Sequence, residues 1–267
     1  MNTTPLFDDF APLKEINRIS KWIFDYVRYA GASGVVVGLS GGIDSALAAA
    51  IASKSLGFRN VLGLILPCES DPNDAADAIA VAQWLGIKYK IVDLAIPYDE
   101  MLKSLKLDDA STLTKANIKA RLRMTALYAF ANERNYLNMG TGNKSELSIG
   151  YITKYGDGGV DFEPLGEYYK SEVYLMATRI GAPDVVLNRK PSAGLWEGQT
   201  DEDEIGMSYG LLDELLNVPE KLRENSGNPD IERVQELIKK SQHKRIMPPS
   251  CPRFYVRSAS ELPLFKE

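Results

Sequence analysis

"VVVGLSGGIDSALAAAIA" spans Val35 to Ala52. Val35–Leu39 is a continuous apolar run, the pattern of a strand covered on both faces. Ser45–Leu56 is alanine-rich and reads as a helix. A glycine turn joins them, which makes the stretch the opening of a β-α-β unit. The turn is neither of the two common phosphate loops. A P-loop needs G-x-x-x-x-G-K-[ST], and no lysine is present here; a dinucleotide fingerprint needs G-x-G-x-x-G, which "SGGIDS" lacks. The first turn of a helix still favours an anion through its free N–H groups and its dipole. Gly41 and Gly42 permit close backbone approach, and Ser40 and Ser45 add hydroxyl donors. Asp44 opposes a bare phosphate. Its presence makes sense if a cation stands between the two, and Mg²⁺ commonly takes one or two carboxylates together with substrate phosphate oxygens.

Beyond this stretch the same alternation continues. Leu13–Tyr29 carries Ile16, Ile19, Ile23, Tyr26 and Val27 at helical spacing. Val61–Leu66 is a second buried strand, Asp74–Leu85 a helix closed by Gly86, and Lys88–Leu94 a third strand. Asp99–Thr114 has no clear pattern. Asn117–Asn132 is a helix, and Tyr136–Met139 is a short strand leading into "GTGNKSE". Tyr151–Gly166 reads as a glycine-rich, acidic loop, Lys170–Ile180 as a helix, and Leu211–Leu216 and Ile231–Ser241 as surface helices. The tail from His243 reads as irregular. Short links between alternating elements predict an α/β fold with a parallel sheet flanked by helices. No linker divides the chain, so residues 1–267 are expected to form a single domain.

Composition narrows the class. The 267 residues are 45% hydrophobic and 25% charged, with a formal net charge of −5. That is an ordinary globular balance and gives no footprint for a nucleic-acid partner. Cys68 and Cys251 are far apart and lack metal spacing, which suits a reducing cytosol. No apolar run is long enough for a membrane span, and the N-terminus lacks the pattern of a secretory signal.

If Asp44 holds a metal, a second carboxylate should come from another loop at the same sheet edge. "NMGTGNKSE" follows a predicted strand and ends in Glu146. In a parallel sheet the carboxyl ends of the strands share one edge. Taken singly, Asp44 is equally well an N-cap aspartate and Glu146 a solvated helix acid; the placement of both after strands favours a metal pair.

"SGGIDS" resembles the pyrophosphate-binding loop of the N-type ATP pyrophosphatases. Further segments resemble one of their families, the ammonia-dependent NAD⁺ synthetases: "KANIKARLRM" (Lys115–Met124), "GTGNKSE" (Gly140–Glu146), "KYGDGGVDFEPLGEYYKSEV" (Lys154–Val173), "KPSAGLWEGQTDEDEIG" (Lys190–Gly206) and "HKR" (His243–Arg245). Order and spacing agree from about Lys14 to Arg253. The resemblance implies a five-stranded, Rossmann-like sheet of the adenine nucleotide alpha-hydrolase type. It implies a cytoplasmic ligase of NAD biosynthesis that joins ammonia to nicotinic acid adenine dinucleotide (deamido-NAD) at the expense of ATP, with Mg²⁺ as cofactor.

It also implies the site. ATP contacts fall on Gly38, Ser40, Gly41, Gly42, Asp44, Ser45, Arg121, Thr141, Lys170 and Ser192, where the family commonly has threonine in place of Ser192. Substrate contacts fall on Asn117, Lys154, Asp157, Asp161, Glu163, His243 and Lys244. Asp44 and Glu146 hold the metal, and Asp157 and Lys170 are the catalytic candidates. Read physically, Asn117 and Arg121 share a helix face. Lys170 supplies the positive charge that the glycine turn lacks, and carboxylates such as Asp157 and Asp161 suit a cationic pyridinium. His243, the only histidine, reads as a phosphate contact or a surface residue.

The chain is too short for an additional glutaminase domain, so free ammonia is the expected donor unless a separate subunit delivers it. Arg189–Gly206 and Asp71–Asp77 are polar edges expected to order around ligands. The apolar content of Leu13–Tyr29 exceeds one packed stripe, and a homodimer through this helix and Asn117–Asn132 is expected, as the resemblance implies. Two other readings stay open: a different adenylating enzyme of the superfamily, and a non-catalytic ATP-binding module.

Overall fold

The computed structural model describes residues 10–196, 198–223 and 226–251. Four strands, β1 (Gly34–Gly38), β2 (Val61–Ile65), β3 (Lys88–Ile91) and β4 (Tyr136–Met139), form one parallel sheet in the order β3-β2-β1-β4. Alternation along each strand feeds two cores. Val35, Val37, Val61 and Ile65 face one side, while Val36, Leu62 and Leu64 face the other. That double burial is why β1 and β2 lack a polar face in the sequence.

The first side is covered by α1 (Pro12–Tyr29), α2 (Ile43–Leu56) and α3 (Pro72–Leu85). In α2 every residue from Ser45 to Ala52 is buried, and its alanines let the helix sit close between α1 and the sheet. The second side is covered by α4 (Ala95–Leu105) and α5 (Thr112–Arg134). The unpatterned stretch Asp99–Thr114 thus divides between the end of α4 and the start of α5, where Ser111 caps the backbone N–H of Thr114 at 3.3 Å.

The expected fifth strand is absent among the described residues. Its place beside β4 holds a single parallel bridge, Met139 to Phe162, with Gly140 N–H donating to Phe162 O at 2.9 Å. Gly156, Gly158, Gly159 and Pro164 crowd this segment, and it makes turns rather than a ladder.

The chain after β4 adds α6 (Lys144–Ile149), α7 (Lys170–Arg179), α8 (Asp184–Leu187), α9 (Asp201–Ile205), α10 (Tyr209–Asn217), α11 (Glu220–Arg223) and α12 (Pro229–Arg245). A third core of Ile149, Ile205, Tyr209, Leu212, Ile231 and Val234 joins α6, α9, α10 and α12, while α7 and α8 pack on the first core through Val173, Met176, Ala177 and Val186. His243, Lys244 and Arg245 form the last turn of α12 and are not part of an irregular tail. Asn228 caps this helix, and its apolar face runs on through Leu237 and Ile238. Residues 252–267 of the expected tail lie outside the described residues. No described helix is long and apolar enough to cross a membrane.

The strand order decides where a ligand sits. The chain moves from β1 through β2 to β3 in one direction, then returns across the sheet to β4. The connections therefore diverge between β1 and β4, and a crevice opens there beyond the carboxyl ends of the strands. Val37 pairs with Met139, so the glycine turn after β1 and the "GTGN" turn after β4 leave the sheet side by side.

Candidate active site

A cavity of about 630 Å³ occupies this crevice. The β1 turn contributes Gly38, Ser40, Gly42, Asp44 and Ser45 to its wall. Gly41 adopts φ +77°, a left-handed conformation that favours glycine. The turn is held by its own hydroxyls: Ser45 Oγ donates to Gly42 O at 3.0 Å, and Gly42 N–H donates to Ser40 Oγ at 3.2 Å. Gly42 is the N-cap of α2 and no side chain caps it. Asp44 is therefore released from the capping role that its position allowed.

Asp44 instead reaches across the crevice. Its Oδ1 accepts from Asn143 Nδ2 at 2.9 Å, and its Oδ2 meets Lys170 Nζ at 2.6 Å. Glu146 does cap: its Oε2 accepts from Asn143 N–H at 3.3 Å while Asn143 Oδ1 accepts from Glu146 N–H. It is not solvated, however. Its other oxygen, Oε1, meets Lys170 Nζ at 3.1 Å and accepts from Tyr209 Oη at 3.2 Å. One ammonium thus gathers two carboxylates that lie 102 positions apart in the chain. The Lys170 side chain is 3% exposed.

The electrostatics follow from that burial. Loss of solvent pushes the Glu146 carboxyl up, with Asp44 and Asp201 adding repulsion. Burial works against the Lys170 ammonium, but Asp44 and Glu146 outweigh it and keep the amine charged. The pair of carboxylates matches the number that Mg²⁺ takes when phosphates supply the rest. Among the described residues no group of three or more His, Cys, Asp or Glu is arranged to hold a metal by itself. The donor set fits a cation that arrives with its phosphates.

The opposite wall is built by α5, the Tyr151–Gly166 loop and the end of α12. Asn117 Oδ1 accepts from Thr153 Oγ1 at 2.9 Å, and the Arg121 guanidinium donates to Lys154 O at 3.4 Å. Lys154 Nζ donates to His243 O, and Lys244 Nζ donates to Gly150 O at 2.9 Å and Ile152 O at 2.8 Å. Asp157 is exposed at the cavity wall; its Oδ1 accepts from Thr153 N–H at 2.9 Å, and the protein atoms crowding its carboxyl raise it above the usual range. Asn117, Arg121, Lys154, Asp157, His243 and Lys244 all line the cavity, as do Thr141 and Ser192.

Two of the expected substrate residues stand elsewhere. Asp161 Oδ2 accepts from Asn138 N–H at 2.8 Å and its Oδ1 from Tyr128 Oη at 3.0 Å, which ties the loop to β4. Glu163 Oε2 accepts from Gly142 N–H at 2.9 Å and packs under the "GTGN" turn. Burial raises its carboxyl well above the ordinary value.

The sequence model of the NAD synthase family matches residues 15–248. The chain belongs to this family. The NH3-dependent NAD⁺ synthetase of Methanosarcina mazei is 45% identical over 244 residues, covering 87% of this chain and 95% of that protein. A solved structure of an NMN synthetase from Francisella tularensis is 37% identical, with a TM-score of 0.84 over 92% of this chain and all of that one. The NH3-dependent NAD synthetase of Campylobacter jejuni is 30% identical, with a TM-score of 0.74 over 91% of this chain and all of that one.

Within the family frame, three residues that sequence reading passed over join the site. Tyr209 Oη bridges Glu146 Oε1 and Asp201 Oδ2, the latter at 3.0 Å. Asp201 is 4% exposed, lines the cavity and also accepts from Tyr151 Oη at 3.1 Å. Arg123 is half-buried against the second strand's exit, donating to Leu66 O at 3.1 Å and Ser70 Oγ at 3.0 Å. Asp201 sits in the conspicuous "QTDEDEIG", so its acid run was a visible signal. Tyr209 and Arg123 occupy ordinary helical positions that offered none.

Proposed function

We propose that this chain amidates the nicotinate carboxylate of deamido-NAD with ammonia, consuming ATP and yielding NAD⁺, AMP and pyrophosphate. The observation that carries the reading is the convergence of Asp44, Glu146 and Lys170 at the divergence of β1 and β4, in a chain aligned along 95% of an NH3-dependent NAD⁺ synthetase. In the first step a carboxylate oxygen attacks the α-phosphorus and the bond to pyrophosphate breaks. In the second, the ammonia lone pair attacks the acyl carbon, the bond to AMP breaks and nitrogen gives up a proton. Both steps depend on positioning and charge neutralisation.

Asp44 and Glu146 would hold Mg²⁺, which neutralises the triphosphate when bound. The glycine turn with Ser40 and Ser45 receives phosphates. Arg121, Thr141, Lys170 and Ser192 complete the ATP side. Asn117, Lys154, Asp157, His243 and Lys244 face the nicotinate nucleotide. Asp157, open to the cavity and close to Lys244's charge, orients the incoming nitrogen. Asp161 and Glu163 support this wall through the backbone of Asn138 and Gly142. The whole chain acts as one synthetase domain working in the cytoplasm.

ATP–pyrophosphate exchange with and without acceptor tests the reading. Exchange that requires deamido-NAD, followed by NAD⁺ formation on adding ammonium, is the expected result. Nicotinic acid mononucleotide belongs in the same assay, because the similar Francisella protein is an NMN synthetase. Exchange with neither acid would overturn the amidation reading, and preference for the mononucleotide would reassign the acceptor.

The working unit on this reading is a homodimer joined through α1 and α5. Ile16, Ile19, Ile23 and Val27 are each at most 3% exposed, because they pack into the first core of their own subunit, with α2 and α7 as the neighbouring helices. A charge at Ile23 therefore unfolds the protomer and says nothing about assembly. The surface left over is Trp22, Phe24 and Tyr29, exposed at 43%, 41% and 93%. Trp22 stacks on Tyr26 and meets Phe162 edge-on, so it forms a firm aromatic platform. Phe24→Glu is expected to sediment as a monomer with an unchanged circular dichroism spectrum, while the native chain sediments as a dimer. A native monomer at micromolar concentration with full activity would refute the dimer.

A further inference from the structure

The glycine turn lacks a lysine, and Lys170 does not fully replace one, because its charge is spent between Asp44 and Glu146. A second cation stands against the same turn. Arg189 Nη1 lies 3.1 Å from the point where a Cβ on Gly41 would sit, and the Asp77 Cβ lies 2.7 Å from it. A side chain at position 41 would clash with the Asp77 Cβ and press on this guanidinium. Arg189 is held by two carboxylates of α3: Nη1 meets Asp77 Oδ2 at 3.0 Å, and Nη2 pairs with Asp74. Its side chain is 21% exposed, and it lines the cavity together with Ser40, Gly42 and Asp74. Ser192, three residues on, lines the same wall.

The charges in this group do not balance. Two carboxylates and one guanidinium leave a net negative charge beside a turn built to receive phosphate. As a purely structural latch the arrangement opposes the ligand. As a resting position it makes sense: the carboxylates hold the arginine fork in place until an anion with better geometry and higher charge takes it over. Guanidinium donors match phosphate oxygens in pairs, and such charge-assisted bonds are among the stronger ones available.

We propose that Arg189 is a ligand of the ATP β- and γ-phosphates and that Asp74 and Asp77 are the counter-ions it leaves when ATP binds. The inference rests on the ATP-binding part of the proposed function and not on the amidation. Two polar edges of the crevice, the start of α3 and the segment from Arg189, are thereby coupled to nucleotide occupancy.

Calorimetric titration of the full chain with Mg·ATP and, separately, with AMP tests the assignment. Arg189→Gln should weaken ATP by about 10- to 100-fold, the worth of one or two charge-assisted bonds, and leave AMP unchanged. Arg189→Lys should fall between, since it keeps the charge and loses the fork. Asp77→Asn should tighten ATP a few-fold, because it removes a competitor for the arginine, again without effect on AMP. The opposite signs at the two partners are decisive. A latch alone would move Arg189→Gln and Asp77→Asn in the same direction and would alter AMP along with ATP; that result, or unchanged ATP binding in Arg189→Gln, overturns the proposal. Should Arg189→Gln fail to fold, the Lys and Asp77→Asn variants carry the same contrast. Native protein that binds ATP in this pattern yet forms no amide would overturn the function and leave Arg189's role standing.

Discussion

Lys170→Met is expected to lower the stability of the nucleotide-free protein by about 3–5 kcal/mol, the usual consequence of deleting one partner from a buried ionic cluster. The lysine side chain is 3% exposed and is the cation that Asp44 and Glu146 share. Its removal leaves two carboxylates facing each other with Asp201 nearby, and Tyr209 Oη and Asn143 N–H become the remaining donors to Glu146. Methionine fills nearly the same space, so the loss reports charge and not a cavity. Chemical denaturation in the presence of a chelator measures it. Added Mg²⁺ should restore part of the loss in the variant by substituting for the missing cation, about 2.7 kcal/mol if the ion is present at 100 times its dissociation constant. The native chain should respond less to the ion alone, since its carboxylates already have a partner. A variant as stable as the native protein in chelator would show that the cluster does not need the lysine.

Asp44→Asn is expected to reduce kcat/KM for Mg·ATP on the order of 10²–10³-fold, comparable with the loss of one preorganised electrostatic contact to a developing charge. The substitution keeps the shape and removes the charge. Asn143 Nδ2 would then face an amide, and Lys170 would retain Glu146 alone. Asp44 caps no helix, so α2 should remain intact and the far-ultraviolet spectrum unchanged. Raising Mg²⁺ should recover a portion of the rate if the ion is what Asp44 holds. Full activity at ordinary Mg²⁺ concentration would remove Asp44 from the metal site.

The two carboxylates and their lysine were open to inspection in the chain because each follows a recognisable turn. "SGGIDS" departs from both common phosphate loops, and "GTGNKSE" sits after a strand; such turns are short, local and spelled out by glycine and hydroxyl residues. The layered α/β arrangement was equally open, since the continuous apolar runs of β1 and β2 and the spacing of α1 and α5 are local periodicities. The family motifs extended that reading to most of the cavity wall, including Asn117, Arg121 and Lys244.

What the chain alone determined, then, are the elements whose cause lies within a few residues: the strands, the helices, the glycine turns and the acids placed in them. The tertiary structure decided what depends on partners distant in the sequence. It replaced a fifth strand by one bridge at Phe162, because ladder formation beside β4 competes with the turns made by Gly156, Gly158 and Gly159. It sent Asp161 and Glu163 to brace backbone and not to line the cavity, since the nearest unpaired N–H groups belong to Asn138 and Gly142. It buried Ile23 in the first core and left Trp22 and Phe24 outside, a division set by the direction in which α1 meets α2 and α7. It also brought Arg189 to Gly41 and Tyr209 to Glu146, contacts across 148 and 63 positions. Periodicity and turn chemistry act over a few residues, whereas the pairing of buried charges depends on which distant segments the packed sheet brings together.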